Sequence, residues 1–277
     1  MSKILTSIII TWKDRPDIRL ALQANASVFA NSKLEIIIVN CGGNIRILKD
    51  AIRGLPFNII LISTRLRTFN KCYAQNIGVS QSTGRLLLFL DADVIIENDF
   101  IDRIPQVLRK DQFLTLAAIR ESQDLSKTIT SEFEVAFHTE LRVPGYGHLR
   151  VETNRARPLA GIRSAPGIIA MRREHFIAIG GANSRLSGWG WEDLDVIVRL
   201  QFTLKLKRIQ AGIGRHLSHP NSVRILNNNS RTNSELKNFL ACIANYTTGS
   251  FQGTYVKNIK HSRYISKIVA RKDAPQS

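Results

Sequence analysis

The sequence predicts an α/β fold in which a mostly parallel sheet carries helices on both faces, and three observations predict it. Through the first half of the 277 residues, short apolar runs alternate with segments of helical pattern, the order that builds parallel strands through right-handed crossovers. The run Leu86-Leu87-Leu88-Phe89-Leu90, bounded by Gly84, is too short for a buried helix and reads as a central strand. That run ends in Asp91-Ala92-Asp93, which puts two carboxylates at the carboxyl edge of the sheet, where open α/β sheets bind ligands.

The first strand covers residues 4–11 and runs straight on from the N-terminus, which reads as a sheet strand and not a signal peptide. A helical pattern follows over 17–30, then a strand at 34–40 and a short helix over 45–53. Residues 57–63 form a third strand, 69–80 a helix, 85–91 the fourth strand, 99–108 a helix and 113–119 a strand. The stretch 121–165 loses this rhythm: Pro144-Gly145-Tyr146-Gly147-His148 and Arg155-Ala156-Arg157-Pro158 are loop signals, so it is expected to be irregular or partly helical and to face a ligand. A strand returns at 164–171, followed by a helix over 173–179 that Gly180-Gly181 ends. Residues 196–202 are helical, 206–210 and 213–216 are expected as two edge strands, and 231–246 as a last helix.

A hydrophobic content of 44% is enough for one large core. No uninterrupted apolar stretch approaches 18 residues, so no transmembrane helix is expected. Cys41, Cys72 and Cys242 are odd in number and lack a C-x-x-C pair, which points to a reducing compartment without structural zinc. Lys and Arg number 39 against 22 acids, a net charge of +17. Such an excess implies an anionic partner such as nucleic acid, phospholipid headgroups or a phosphate-bearing substrate. Residues 257–272 hold six basic and no acidic side chains. Ile265, Ile268 and Val269 share one face if this tail is helical, a pattern suited equally to an anionic membrane surface and to packing on the rest of the protein with the lysines solvated.

Two carboxylates one residue apart repel unless a cation lies between them. Mg²⁺ and Mn²⁺ prefer oxygen ligands and bridge carboxylates to phosphates. A second acidic cluster lies in GWGWEDLDVIVRL, residues 188–200. Glu192 and Asp193 start a helix, where the dipole favours negative charge; capping explains the acids but not Trp189 and Trp191 beside them. Flat indole faces suit sugar rings, and Gly188 and Gly190 suit a mobile loop. The third piece is His216-Leu217-Ser218-His219-Pro220. Two His at this spacing can add an imidazole to Asp93 on Mn²⁺.

These pieces in this order, over roughly residues 4–225, resemble a glycosyltransferase of the GT-A fold, family 2 type, with a galactosyltransferase-like C-terminal segment. The resemblance implies metal-dependent transfer of a sugar from a nucleoside-diphosphate sugar, UDP-linked, to an acceptor hydroxyl with inversion, in glycan biosynthesis. It implies Mn²⁺ or Mg²⁺ on Asp93 and His219, with His216 as a second ligand and Asp91 beside the metal or the ribose. Thr11, Trp12 and Arg15 fall where relatives hold base and ribose. Asn40 stands where an Asp usually grips uracil. Asn70 and Ala92 complete the nucleotide-sugar set, with Asn76, which is equally suited to a structural role holding the Asp91-Ala92-Asp93 loop. Asp193 matches the general base, Glu192 would hold acceptor hydroxyls, and Trp189, Gly190 and Trp191 would form the acceptor site.

The expected organisation is a nucleotide-sugar-binding half over 1–120, an acceptor-binding and catalytic half over 121–225, and a C-terminal helix with basic tail over 226–277. The acceptor is expected to be a glycan or lipid-linked, and the protein cytoplasmic and peripheral at the inner face of the membrane. Two other classes fit parts of the pattern. A nucleotidyltransferase uses a similar sheet, but Thr11-Trp12-Lys13-Asp14-Arg15 lacks the glycines of a phosphate loop. A nucleic-acid-binding protein explains the charge, but no zinc-finger or RNP-like motif is present, and no nucleic-acid partner is expected.

Overall fold

Seven consecutive buried residues, Thr6–Trp12, form β1, a run without polar alternation that requires cover on both faces. β1 pairs in parallel with β2 (Leu34–Asn40) and with β4 (Leu86–Asp91), and β2 pairs in parallel with β3 (Ile59–Thr64). The computed structural model describes residues 4–97, 99–122, 131–219, 230–262 and, for the backbone, 264–270. Its helices are α1 (Ile18–Ala24), α2 (Ala26–Phe29), α3 (Ile45–Ile52), α4 (Lys71–Ser80), α5 (Phe100–Val107), α6 (Arg173–Ala178), α7 (Glu192–Leu204), α8 (Arg231–Thr247) and α9 (Tyr255–Lys260). The remaining strands are β5 (Val94–Ile96), β6 (Gln112–Glu121), β7 (Val135–Val143), β8 (Gly147–Arg157), β9 (Ile162–Arg172), β10 (Lys207–His216) and β11 (Tyr264–Ala270).

The sheet order is β11-β3-β2-β1-β4-β9-β6-β10-β5, with the β7–β8 hairpin joined through β9. Side-chain alternation divides the core into two layers. Ile8, Ile10, Ile36, Ile38, Leu88 and Leu90 face α1, α2, α3 and α5. Ile9, Leu87 and Phe89 face the opposite way, with Phe176 of α6, Val196, Ile197 and Leu200 of α7, and Tyr246 of α8. Each such aliphatic side chain contributes roughly 1.5–3 kcal/mol of burial free energy. Helices on both faces of a sheet with a parallel centre are the architecture expected from the alternation.

Four elements differ from the sequence-based expectation. The helix over 17–30 is two pieces, because the buried Asn25 accepts from the Ile96 amide and donates to the carbonyls of Ala21 and Val94. That side chain pins β5 and interrupts the helix. Residues 135–157 of the stretch read as irregular form the β7–β8 hairpin; residues 123–130 lie outside those described. In β7, Val135, Phe137, Leu141 and Val143 alternate with Ala136, His138, Glu140 and Arg142, and only Leu141 and Val143 are buried; the loop signal at Pro144-Gly145-Tyr146-Gly147 is the turn of the hairpin. The two edge strands near 206–216 are one strand, β10, paired on one side with β6 and on the other with β5. Gly212 falls inside it at φ 76°, where a Cβ would meet the ring of Phe100.

The fourth difference is the tail. Residues 264–270 are the strand β11, antiparallel to β3, and not a helix with an apolar face. The open edge of β3 offers unpaired backbone groups, and a Tyr-, Ile- and Val-rich segment fits a strand. The membrane-binding helix expected from Ile265, Ile268 and Val269 therefore does not form. Arg263, Arg271 and Lys272 lie outside the described residues. No helix among the described residues is long and apolar enough to cross a membrane.

Candidate active site

The carboxyl ends of two parallel pairs converge on one cavity. Thr11 of β1 lies opposite Asp91 of β4, and Glu121 of β6 lies opposite His216 of β10. The cavity measures about 460 Å³ and is lined by residues of β1, β4, α4, β9, the loop before α7, and β10. Thr11, Arg15, Asp91, Ala92, Asp93, Trp189, Gly190, Trp191, Glu192, Asp193, His216 and His219 all reach it. Trp12, Asn40, Asn70 and Asn76 do not.

Asp93, His216 and His219 bring one ligand atom each to within 4.8 Å of one another. Oδ2 of Asp93 lies 3.5 Å from Nε2 of each histidine. The other ring nitrogen of His216, Nδ1, is 2.7 Å from Oε2 of Glu121. A carboxylate with two imidazoles, one of them backed by a second carboxylate, suits a divalent ion such as Mn²⁺, so these residues fit the metal that the motif implies. Arg15 donates to Oδ2 of Asp93 at 2.7 Å and pairs with Asp17 at 3.2 Å. Burial works against the charge on Asp93. Hydrogen bonds from His216 and His219, with the charges of His216 and Arg15, outweigh it and hold the carboxyl well below its usual range. Burial likewise opposes the charge on His216, but the flanking carboxylates of Asp93 and Glu121 prevail and raise it to about 9. Asp91 stands apart from this group.

Asp91 and Asp193 instead share Lys71, whose Nζ lies 3.0 Å from each. Asp91 is therefore linked through Lys71 to Asp193 and not to the two histidines. Lys71 is mostly withdrawn from solvent, which disfavours its charge, but Asp193, Asp91 and Glu192 keep it protonated well above its usual range. Burial raises the Asp193 carboxyl; Lys71 partly counters this and Asp91 adds to it. Glu192 is raised to about 7 by burial and by the charge of Asp193, against the pull of Lys71. Its Oε2 is buried and has no hydrogen-bond partner among the described residues. Gly167 of β9 makes room for this cluster, since a Cβ there would lie 2.5 Å from Oδ2 of Asp193.

Trp191, at the N-cap of α7, takes a left-handed conformation with φ 67°, rare for a bulky residue. It turns the chain so that Glu192 and Asp193 enter the cavity, and its ring packs on Phe239 of α8 at 4.7 Å. Trp189 lies under the guanidinium of Arg231, 3.9 Å from the ring centroid. The loop carrying both indoles is tied to α8. Ser234 accepts from the Trp189 amide, and Asn238 accepts from the Ser187 amide and donates to the Gly190 carbonyl.

Four residues expected at the nucleotide are used inside the protein. Trp12 is fully buried, with Nε1 donating to the Arg15 carbonyl. Asn40 closes its own turn through the amide and carbonyl of Gly43. Asn70 caps α4 and donates to the carbonyls of Ser184 and Leu186. Asn76 is fully buried and bonds Ala182 and Asn258. Trp12, Asn40 and Asn70 sit at element ends, where a side chain either meets a ligand or secures a turn, and Asn76 lies buried within α4.

Lys71, Glu121, Gly167, Arg231 and Glu235 were not foreseen. A lysine among 39 basic residues carries no signal by itself. Glu121 was detectable by the reasoning that found Asp91, since it too is an acid ending an apolar strand.

The family model described as glycosyl transferase family 2 matches residues 7–179. A second, described as the N-terminal domain of galactosyltransferase, matches residues 148–220. Among solved structures, S. aureus TarS 1-349 in complex with UDP-GlcNAc is 10% identical, with a TM-score of 0.52 over 94% of this chain and 74% of that one. The mannosyltransferase PcManGT from Pyrobaculum calidifontis, in complex with GDP-Man and Mn²⁺, is 14% identical, with a TM-score of 0.50 over 79% of this chain. The aligned part spans 59% of the mannosyltransferase's length. At these identities the likeness is one of fold.

Proposed function

The chain belongs to glycosyl transferase family 2 and has the GT-A fold, and from that premise we propose that it transfers a sugar from a nucleoside-diphosphate sugar to an acceptor hydroxyl. The observation that carries this reading is the meeting, in one cavity, of a carboxylate–imidazole metal site with a separate half-buried carboxylate pair. The first group suits a diphosphate and the second a hydroxyl that must lose its proton. We take the donor as UDP-linked and the acceptor as a glycan or a lipid-linked glycan. Complexes of fold neighbours with UDP-GlcNAc, and with GDP-Man and Mn²⁺, support a nucleotide-sugar donor.

In this reading Asp93, His216 and His219 hold Mn²⁺ or Mg²⁺, which supplies charge neutralisation for the departing diphosphate. Arg15, now on Asp93, is placed to meet a phosphate oxygen, and Thr11 lines the wall beside it. Asp193 takes the proton from the acceptor hydroxyl, and Lys71 keeps that carboxylate ionised and aimed. Attack from the side opposite the leaving group gives inversion and needs one base. Glu192 holds acceptor hydroxyls, and Trp189 with Trp191 forms the apolar wall for the acceptor ring. Residues 1–120 then serve the donor and 121–225 the acceptor and catalysis.

The test is a panel of nucleotide sugars with Mn²⁺, scored by thermal shift and by slow donor hydrolysis. Stabilisation and hydrolysis of one donor, both lost in Asp93→Ala, are expected. Full activity of the wild type in excess chelator overturns the metal-dependent reading.

A further inference from the structure

Glu121 ends β6 outside the cavity lining, yet its carboxylate is committed on both oxygens. Oε2 is 2.7 Å from Nδ1 of His216 and accepts from the Ser218 hydroxyl at 2.7 Å. Oε1 accepts from Nε of Arg163 at 2.5 Å. Next in the chain, Ser122 and Ser218 exchange a reciprocal pair of bonds: each backbone amide donates to the other's hydroxyl, at 2.9 and 2.8 Å. The Ser122 amide also donates to the carbonyl of His216 at 3.1 Å, and the Leu217 amide donates to the carbonyl of Asp93 at 2.8 Å. The turn bearing both histidines is thereby fastened to the end of β6 on one side and to Asp93 on the other.

We propose that Glu121 is the positioning residue of the metal site, fixing the ring of His216 with Nε2 toward Asp93, and that the Ser122–Ser218 staple holds the His216–His219 turn in place. The inference rests on the reading that Asp93, His216 and His219 take a divalent ion. A carboxylate on one imidazole nitrogen keeps the proton there, so the other nitrogen presents its lone pair. The ring orientation follows as well, because Arg163 and Ser218 prevent the carboxylate from rotating away. Surface ion pairing alone does not account for the arrangement. Arg163 takes Oε1, whereas Oε2 is given to the histidine and to the serine between the two histidines. Ser218 thus has a role in the HLSHP segment that the spacing of the histidines alone does not suggest.

Loss of such an outer-shell carboxylate weakens metal binding by roughly 10–100-fold. The experiment is titration of the full chain with Mn²⁺ in the presence of UDP at one fixed pH, followed by calorimetry or electron paramagnetic resonance. Glu121→Ala is expected to weaken Mn²⁺ binding by roughly that factor, and Glu121→Gln, which still accepts from Nδ1, to restore part of it. Ser218→Ala is expected to fall between wild type and Glu121→Ala, and supplies the comparison if the latter does not fold. Mn²⁺ affinity unchanged in the Glu121 and Ser218 variants, while Asp93→Ala abolishes binding, overturns the positioning role and leaves the metal site standing. No Mn²⁺ binding by the wild type overturns the metal site and this role together.

Discussion

Replacing Glu192 by glutamine removes a charge that the fold disfavours, and the consequence is a stability change whose sign depends on pH. The carboxyl is raised from its ordinary 4.5 to about 7 by burial and by Asp193, with Lys71 acting in opposition. Between those values the folded protein keeps a proton that the unfolded chain has released, so stability falls as pH rises through the window. The whole displacement corresponds to roughly 3 kcal/mol at 1.36 kcal/mol per pH unit. Glutamine is neutral throughout and retains the shape. Glu192→Gln is therefore expected to stabilise the protein by up to roughly 3 kcal/mol at pH 8 and by less than about 1 kcal/mol at pH 5. For a chain of this length the larger figure is a rise in Tm of about 5–10 °C. Differential scanning fluorimetry of metal-free, nucleotide-free protein at the two pH values measures it. An equal Tm difference at pH 5 and pH 8, or a less stable variant at pH 8, refutes the reasoning.

Asp193→Asn should lower turnover by roughly 10²–10⁴ with donor affinity nearly unchanged; a larger loss of turnover from Glu192→Gln would reverse the assignment of the base. Lys71→Met leaves Asp91 and Asp193 facing each other without their cation, a loss by urea denaturation at pH 8 that falls below the roughly 3–5 kcal/mol of a fully buried pair because Asp91 is 41% exposed, and that should shrink as Asp193, raised by burial, protonates at lower pH. An unchanged midpoint at pH 8 rejects the role given to Lys71. Deleting residues 264–277 bares the edge of β3, so lower Tm and concentration-dependent association are expected; a truncated chain as stable and monomeric as the parent argues against β11. Trp189→Ala should raise KM for the acceptor and leave metal-dependent donor hydrolysis intact, whereas equal losses in both would place Trp189 at the donor.

The parallel centre of the sheet was legible because β1, β2 and β4 are short, nearly unbroken apolar runs, and only burial on both faces accommodates them. Asp91, Asp93, Glu192, Asp193 and the two histidines were legible for a related reason. Each follows a strand or starts a helix, so its place at the carboxyl edge is a property of local sequence. The β7–β8 hairpin was masked by the loop signal of its own turn, Pro144-Gly145-Tyr146-Gly147, although Val135, Phe137, Leu141 and Val143 alternate along β7. β11 was not legible, because it is decided by the unpaired edge of β3, which is distant in the chain.

Roles within the site divide in the same way. That acids and histidines gather at one edge was determined by the sequence, through strand-end carboxylates and helix-start acids that the local pattern specifies. Which partner each takes was decided only by tertiary structure. Asp91 goes to Lys71, 20 residues away, and His216 goes to Glu121, 95 residues away. Asn40 bonds within its own turn to Gly43, and Asn76 takes the structural alternative by bonding Ala182, 106 residues away. Hydrogen bonds and ion pairs act over a few ångströms and take whichever group the packing brings near. Residue spacing along the chain therefore locates the site, and the crossing of β6, β10 and α4 beneath it sets the chemistry of each side chain.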